Sequence, residues 1–345
     1  MTKKKREINR AFLVTCIVIG FFVACLLSYF FVGFPHTNTH TVYGVSWSAR
    51  HAESYGLNAS TTLAMVLDDL GVRRFRLPAY WDQVEPKRGI YQFENFKNQL
   101  DMISARGGKA IIVVGATEPR WPECWLPAWV TSLPTQERER EQLAFVETTV
   151  RMFARHPAVA SWQVENEPTL KGFGDCKDQR KDFIAEEMQR VRETESRVTF
   201  GVRHPVITTN SGEASLWNDF WGLTDARGIS IYRLVLTPWH WYVSYDWVPP
   251  FFYARKARLV ERLTGPFFVS EFQMEPWADT SLTLVPLTHQ TDLMSLPRFE
   301  DHLWIAERTE FPAVYFWGVE WWAWMKKMQR HPEYWKRMKI FFTHH

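Results

Sequence analysis

Short apolar runs alternate with longer amphipathic stretches along most of this chain. The runs are rich in β-branched and aromatic residues, which predicts strands; they span residues 42–47, 74–78, 110–114, 159–164, 206–209, 229–234, 267–271 and 313–317. Strands that alternate with helices form a parallel sheet with crossover helices, and eight strands close a (β/α)8 barrel. An open doubly wound sheet is the competing fold, but no glycine-rich phosphate-binding turn follows the first run. The sequence therefore predicts an α/β fold, a single TIM barrel over residues 42–345.

Between the predicted strands the apolar residues follow helical spacing. Segments 143–153 and 184–191 carry apolar residues at steps of three and four, which predicts one buried face on each helix. Asn58 stands immediately before a further helical segment, 61–70, and Gly71 follows it. Asn58 also begins a formal glycosylation sequon, but a helix cap is the preferred interpretation.

The N-terminus has the pattern of a membrane anchor. Residues 1–10 include five basic residues and one acidic residue, whereas 11–34 contain no charged residue. About 24 apolar residues suffice to cross a hydrocarbon core of ~30 Å, and the basic flank stays on the cytoplasmic side. We therefore predict a cytoplasmic tail at 1–10, a transmembrane signal anchor at 11–34 and a linker at 35–41. The barrel would then lie outside the cytoplasm, held at the cell membrane by a single pass through the lipid bilayer.

Two other interpretations of this N-terminus are open. A cleaved signal peptide also begins basic and then turns apolar, but this apolar run is longer than a usual signal core. No small-x-small cleavage site closes the run. A lipoprotein modified at Cys25 is disfavoured because apolar residues follow that cysteine, where a polar tether is expected.

The charge distribution excludes one class of partner. The chain carries a formal net charge of +3, of which the first ten residues contribute +5 − 1 = +4, leaving about −1 for the rest. A nucleic-acid-binding domain would be basic, so no nucleic-acid partner is expected. The basic residues between 326 and 339 predict a solvated helix face, with contact to a membrane surface as the alternative.

Four cysteines divide into two pairs. Cys16 and Cys25 lie within the predicted anchor, whereas Cys124 and Cys176 lie in loops that follow consecutive strands. In an oxidising compartment such a pair favours a disulfide. The alternative is two unpaired buried thiols.

Two glutamates stand at the ends of predicted strands. Glu167 closes strand four and Glu271 closes strand seven, and each follows an apolar run. In (β/α)8 barrels the active site lies at the carboxyl ends of the strands, where these two ends face each other across the mouth. Two facing carboxyl groups are the minimal equipment for cleaving a glycosidic bond.

These segments resemble clan A of the retaining glycoside hydrolases, a cellulase-like clan with this barrel that includes families 5, 39 and 42. The resemblance covers nearly all of residues 42–324. It implies that Glu167 is the acid/base, that Glu271 is the nucleophile and that Asn166 binds the sugar 2-hydroxyl. Retention of anomeric configuration follows when the carboxyl groups lie ~5–5.5 Å apart, because no water fits between base and sugar.

The resemblance extends to residues around the predicted site. The pattern Trp81-x3-Glu85-Pro86-x2-Gly89-x-Tyr91-x-Phe93 matches the loop after strand two in several of these families. Arg76 stands where family 5 places an arginine that supports the nucleophile, and Trp317 where the clan offers an aromatic platform. The hydroxyl of Tyr232 would also favour the ionised form of the nucleophile. The residues predicted to contact substrate are Asn166, Arg76, Tyr232, Trp317, Trp81, His240 and Glu320.

Some of these assignments have alternatives. Many family 5 enzymes carry a histidine two residues before the strand-six tyrosine, where this chain has Ser230. His240 stands between tryptophans, so packing is as good an interpretation as substrate contact. Glu165 is expected to be structural because it points opposite to its neighbours, whereas Glu320 is placed at the rim.

The chain contains 18 tryptophans, many of them in predicted loops. Flat aromatic faces stack on pyranose rings, although about half of these residues are expected to fill space between barrel and helices. The 11 histidines form no metal-binding motif, so neither a metal nor a cofactor is expected.

The sequence thus predicts a membrane-anchored retaining β-glycosidase acting on an oligo- or polysaccharide. A transglycosylase would use the same residues. The third candidate is a surface carbohydrate-binding protein whose hydrolase barrel has lost its catalytic activity. No residue pattern indicates an oligomeric state.

Overall fold

Eight parallel strands form a closed barrel in the computed structural model, which describes residues 3–170, 174–176, 179–201, 203–237 and 239–345. The barrel strands are β1 (Val42–Ser46), β2 (Arg74–Pro78), β3 (Lys109–Val114), β4 (Val159–Val164), β5 (Val206–Ser211), β6 (Ala226–Ile231), β9 (Phe267–Gln273) and β10 (Ala313–Trp317). Each strand pairs with its neighbours in sequence, and β10 closes the barrel on β1. The predicted TIM barrel is confirmed.

A small antiparallel hairpin follows the sixth barrel strand. It consists of β7 (Leu234–Leu236) and β8 (Tyr242–Ser244). The sequence placed strand six at 229–234, but β6 begins at Ala226 and ends at Ile231. Arg227 and Gly228 interrupt the apolar pattern at the start of this strand, so the pattern does not show where it begins, although Arg227 is fully buried. Tyr232 therefore lies one residue beyond the strand end, at the barrel mouth.

Helices surround the barrel. Within the described residues they are α1 (Lys3–Phe31), α2 (Ala49–Ser54), α3 (Ala59–Asp68), α4 (Trp81–Val84), α5 (Glu94–Ser104), α6 (Thr135–Phe153), α7 (Lys181–Thr199), α8 (Phe251–Thr264), α9 (Leu287–Leu293), α10 (Leu296–Ala306), α11 (Val319–Lys327) and α12 (Glu333–His344). Asn58 caps α3, because its side-chain oxygen accepts a 2.9 Å hydrogen bond from the amide of Thr61. Residues 212–225 join β5 to β6 without a helix.

The predicted apolar faces of α6 and α7 pack on the barrel. Their periodic residues are buried: Leu143, Val146, Val150, Phe153, Ile184, Met188 and Val191. Seven tryptophans are almost completely buried between the layers: Trp47, Trp81, Trp162, Trp217, Trp321, Trp322 and Trp335. Large aromatic rings therefore fill much of the space between strands and helices, as expected for about half of them.

Helix α1 is the exception to this packing. Residues 11–31 form one helix that is long and apolar enough to cross a membrane, and its membrane-length window is not buried in the protein. Its last turn meets the barrel, where Phe30 and Phe31 pack against Phe252 of α8. Residues 1–2 of the predicted basic tail lie outside the described part of the chain.

Candidate active site

Glu271 lies on β9 at a strand irregularity. The pairing of β9 shifts register against both neighbours, β6 and β10, between Val269 and Phe272. An extra residue in one strand bends it and changes the direction of nearby side chains. The carboxyl group of Glu271 is almost completely buried, and it meets two side chains that donate hydrogen bonds to it.

Those donors are Arg76 and Tyr232. Arg76 Nη1 lies 2.5 Å from Glu271 Oε1, and the Tyr232 hydroxyl donates to Oε2 at 2.7 Å. Arg76 is itself inaccessible to solvent and donates to Gln163 Oε1 at 2.7 Å and to Asn166 Oδ1 at 2.6 Å. A buried guanidinium next to a carboxylate stabilises the charged form of that carboxylate. The structure thus brings Arg76, Tyr232, Asn166 and Glu271 together.

Glu167 faces the same space from the end of β4. Its backbone is left-handed, with φ 43°, and its amide donates to Thr209 Oγ1 at 2.9 Å. Burial, and secondly the charge of Glu271, raises the pKa of Glu167 to about 8. Its Oε1 atom is buried without a hydrogen-bond partner among the described residues. This carboxyl group is therefore protonated at neutral pH and has an unused hydrogen-bonding atom.

Glu165, two residues earlier, points away from the mouth. Its carboxylate accepts hydrogen bonds from the amides of Ala116 at 2.9 Å and Thr117 at 2.5 Å. Gln142 donates to it at 2.7 Å and Gln179 at 2.9 Å. Two protein amides and two side chains therefore hold it in a structural role, as expected. Gly115 makes room for it, because a Cβ there would lie 2.5 Å from the Glu165 carboxyl carbon.

A third carboxyl group, that of Glu123, lies near Glu167 and Glu271. It is buried in the loop after β3, with a left-handed φ of 57°. Burial, followed by the charges of Glu167 and Glu271, raises its pKa well above the usual range. The adjacent Cys124 forms a disulfide with Cys176, which confirms the predicted pairing and ties the loop after β3 to the loop after β4.

A buried ion-pair network also involves the loop after β3. Arg120 pairs with Glu275 and with Glu320, and its guanidinium lies 3.8 Å from the ring centroid of Trp317. Glu320 is inaccessible to solvent and also accepts a 2.5 Å hydrogen bond from the amide of Ser48. Glu320 is predicted to contact substrate; in this structure its carboxylate holds Arg120. Trp317 ends β10, with Arg120 covering one face of its ring.

Trp81, also predicted to contact substrate, lies in the protein core in this structure. Its ring is completely buried, stacks on Phe145 with centroids 5.3 Å apart, and donates to Glu85 Oε2 at 2.8 Å. Glu85 also accepts from the amide of Gly89 at 2.7 Å. The motif residues Trp81, Glu85 and Gly89 therefore hydrogen-bond to one another. The indole of Trp81 packs in the core and is turned away from the mouth.

His240 lies in the hairpin turn, largely exposed, where its ring nitrogen meets Asp279 at 3.0 Å. The structure gives it no contact with the carboxyl groups of the mouth among the described residues. Its defined contact is thus a link between the hairpin and the segment after β9.

Sequence reasoning did not identify several polar residues of this mouth. Glu123, Arg120 and Gln163 were not singled out, nor was Glu213, whose pKa is raised to about 7 by burial. Gln163 carries a usable signal, because an amide inside an apolar strand requires buried partners. Glu123 and Arg120 lie in an irregular loop without any such signal.

Comparison with known proteins identifies similar folds. No family model matches the chain. The β-galactosidase Bga of Halorubrum lacusprofundi is 26% identical over 141 residues, which are 34% of this chain and only 20% of that protein.

Among solved structures, endo-glycoceramidase II from Rhodococcus sp. is 17% identical, covering 83% of this chain and 75% of that one at a TM-score of 0.56. The exo-β-1,4-mannosidase of Opitutaceae bacterium strain TAV5 is 16% identical, covering 82% and 53% at 0.54. The β-galactosidase of Marinomonas ef1 is 16% identical, covering 80% and 54% at 0.52. At these identities the likeness establishes the barrel fold, and this chain spans about half the length of the last two.

Proposed function

We propose that this chain is a retaining β-glycosidase in which Glu271 is the nucleophile and Glu167 the acid/base. The observation that carries the proposal is the unequal environment of the two carboxyl groups. Glu271 is paired with Arg76 and Tyr232, whereas burial keeps Glu167 protonated. Two carboxyl groups with opposite protonation states are what double displacement requires. The names of the structural neighbours, which include a mannosidase and two β-galactosidases, agree with this chemistry.

In the first half-reaction, a Glu271 oxygen forms a bond to the anomeric carbon as the bond to the leaving oxygen breaks. Glu167 gives its proton to that oxygen, so the leaving group departs as an alcohol. The product is a glycosyl ester on Glu271, which no longer carries a charge. The main Coulombic cause of the raised pKa of Glu167 then disappears, so the carboxylate left after proton transfer is stabilised.

In the second half-reaction, Glu167 accepts a proton from water as the water oxygen attacks the anomeric carbon. The ester bond breaks, Glu271 regains its charge and the sugar leaves with its original configuration. Asn166 would meet the sugar 2-hydroxyl, since Arg76 and Thr209 hold its side-chain oxygen and orient its amide. Trp317 would offer the sugar the ring face opposite to Arg120.

The substrate class we propose is a β-linked oligo- or polysaccharide. The test is a panel of aryl β-glycosides with the full chain and the variants Glu271→Gln and Glu167→Gln. We expect Glu271→Gln to lose at least three orders of magnitude in turnover. Glu167→Gln should lose roughly 10²–10⁴-fold in kcat/KM on substrates with poor leaving groups. It should retain kcat/KM for activated ones, whose first step needs no proton, while the second step slows because it lacks its base.

A matched control is Glu187→Gln, which changes a buried carboxyl group on α7 that contacts Gln142 outside the mouth. It should retain wild-type turnover. Trapping with a 2-fluoro glycoside should label Glu271, and the products should keep the anomeric configuration. Inverted products would contradict the mechanism, while transfer to a second sugar in place of water would identify a transglycosylase.

We further propose that α1 is an uncleaved signal anchor that places the barrel outside the cytoplasm. The apolar span of α1 supports this, as does the disulfide between Cys124 and Cys176. Membrane-extracted protein should have the intact mass of the whole chain. A mass that lacks the first 34 residues would show cleavage instead.

A further inference from the structure

Exposed aromatic and apolar side chains form a ridge beside the barrel mouth. The aromatic ridge consists of Trp239, Trp241, Tyr242, Val243 and Trp247, in the β7–β8 hairpin and the turn after it. The three tryptophans are 75%, 72% and 68% exposed. Because the hairpin follows β6, it stands at the carboxyl-end face of the barrel, which also holds the proposed catalytic residues. Several large rings exposed together mark an interaction surface.

The ridge is continuous with the end of the apolar helix α1. Phe31, the last residue of α1, stacks on Trp247 with ring centroids 5.7 Å apart. The end of α1 is also held to α8, since Tyr29 donates to the carbonyl of Arg255 at 3.3 Å and Arg255 donates to the carbonyl of Val32 at 2.9 Å. The point where α1 leaves the barrel therefore lies beside the ridge.

The ridge is also held to the proposed site. Tyr242 donates to the carbonyl of Trp277 at 3.0 Å, and the Trp277 ring packs edge-on against Tyr232 at 4.8 Å. Tyr232 in turn donates to Glu271. The hairpin turn is fixed to the same segment by the pair between His240 and Asp279. One chain of contacts thus joins Glu271 to the ridge.

We propose that the aromatic ridge inserts into the head-group region of the bilayer that α1 spans. Tryptophan and tyrosine favour this region because their rings are apolar and their N–H or O–H groups remain hydrated. Arg255 and Arg258 line a groove with the last turns of α1, where lipid phosphates would meet their charges. The β6–β9 side of the mouth is then held at the lipid surface. This inference rests on the proposed anchor and needs no catalysis.

The test uses the full chain in nanodiscs of phosphatidylcholine with ordinary or brominated acyl chains, because bromine quenches nearby indole fluorescence. The variant Trp239→Phe/Trp241→Phe isolates the ridge signal as a difference from wild type. Trp304→Phe is the control, since Trp304 lies on α10 and is 45% exposed. We expect the ridge signal to be quenched at least twofold more strongly than the Trp304 signal. Equal quenching would overturn the proposal.

A second measurement separates lipid from sugar. Soluble oligosaccharides added to unbrominated nanodiscs should leave the ridge signal unchanged; a saturable change would assign the ridge to saccharide binding and overturn the proposal. Ridge quenching in a protein that cleaves no glycoside would support the membrane contact and refute the proposed function. Cleavage without ridge quenching would support the proposed function and refute the membrane contact.

Discussion

The raised pKa of Glu167 makes a prediction about stability as well as catalysis. In the unfolded chain this carboxyl group has its ordinary pKa of 4.5, whereas burial and the charge of Glu271 raise it to about 8 in the fold. Between these values the unfolded chain releases a proton that the native protein keeps. The native state therefore loses stability as pH rises, by ~1.4 kcal/mol per unit within that window.

Replacement of Glu167 by Gln removes this loss, because an amide does not ionise. The free energy of unfolding of Glu167→Gln, relative to wild type, should therefore increase from pH 5 to pH 8, by roughly 4 kcal/mol. Urea titrations of the detergent-solubilised full chain at pH 5, 6, 7 and 8 measure this difference. The control is Glu53→Gln, the same change at an exposed glutamate on α2.

The same group sets the alkaline limit of activity. Above pH ~8, wild-type kcat/KM should fall tenfold per unit on substrates that need a proton, because Glu167 is then ionised. An activated aryl glycoside should show no such fall in its first step. Two results together would refute both the buried environment and the catalytic role assigned to Glu167. They are a stability difference that is independent of pH and a fall of kcat/KM that begins far from pH 8.

Three further predictions concern groups around the mouth. Tyr232→Phe should lower kcat/KM by about 10- to 150-fold, since a hydrogen bond to a charged group contributes about 1.5–3 kcal/mol; Tyr334→Phe, which removes a 2.6 Å hydrogen bond far from the mouth, should not change kcat/KM. Glu165→Ala leaves two backbone amides without an acceptor and should cost roughly 3 kcal/mol in unfolding free energy, while the folded fraction keeps its turnover. Replacing Cys124 and Cys176 by Ser opens a loop of 52 residues, for which chain entropy predicts a loss of about 4 kcal/mol; an unchanged melting temperature would contradict this.

The barrel was predictable because parallel strands are buried on both faces and therefore appear as continuous apolar runs. The predicted bounds 74–78, 159–164 and 313–317 coincide with β2, β4 and β10. Where polar residues enter a buried strand, as in β6, this signal fails. The disulfide was predictable for a related reason, because the carboxyl ends of consecutive parallel strands lie next to each other.

Other features required the tertiary structure. Trp81 was assigned to substrate binding through the motif of the loop after strand two, and Glu320 through its position near the rim, but the structure buries both side chains. Glu123 lies in a loop that contains residues with left-handed backbone, and the disulfide between Cys124 and Cys176 ties this loop to the loop after β4. Such contacts depend on loop conformation, which periodicity does not encode.

The sequence by itself determined the strand order, the placement of Glu167 after β4 and of Glu271 in the last part of β9, and the apolar helix ahead of the barrel; β9 continues to Gln273, two residues past the predicted end. These features follow from the spacing of apolar and polar residues along the chain, which the sequence shows directly. Only the tertiary structure decided that burial raises the pKa of Glu167, and which acids are held in ion pairs. It also placed the end of α1 beside the hairpin. These properties arise from burial and from contacts between distant segments, because a carboxyl group's charge depends on the neighbours that folding brings to it.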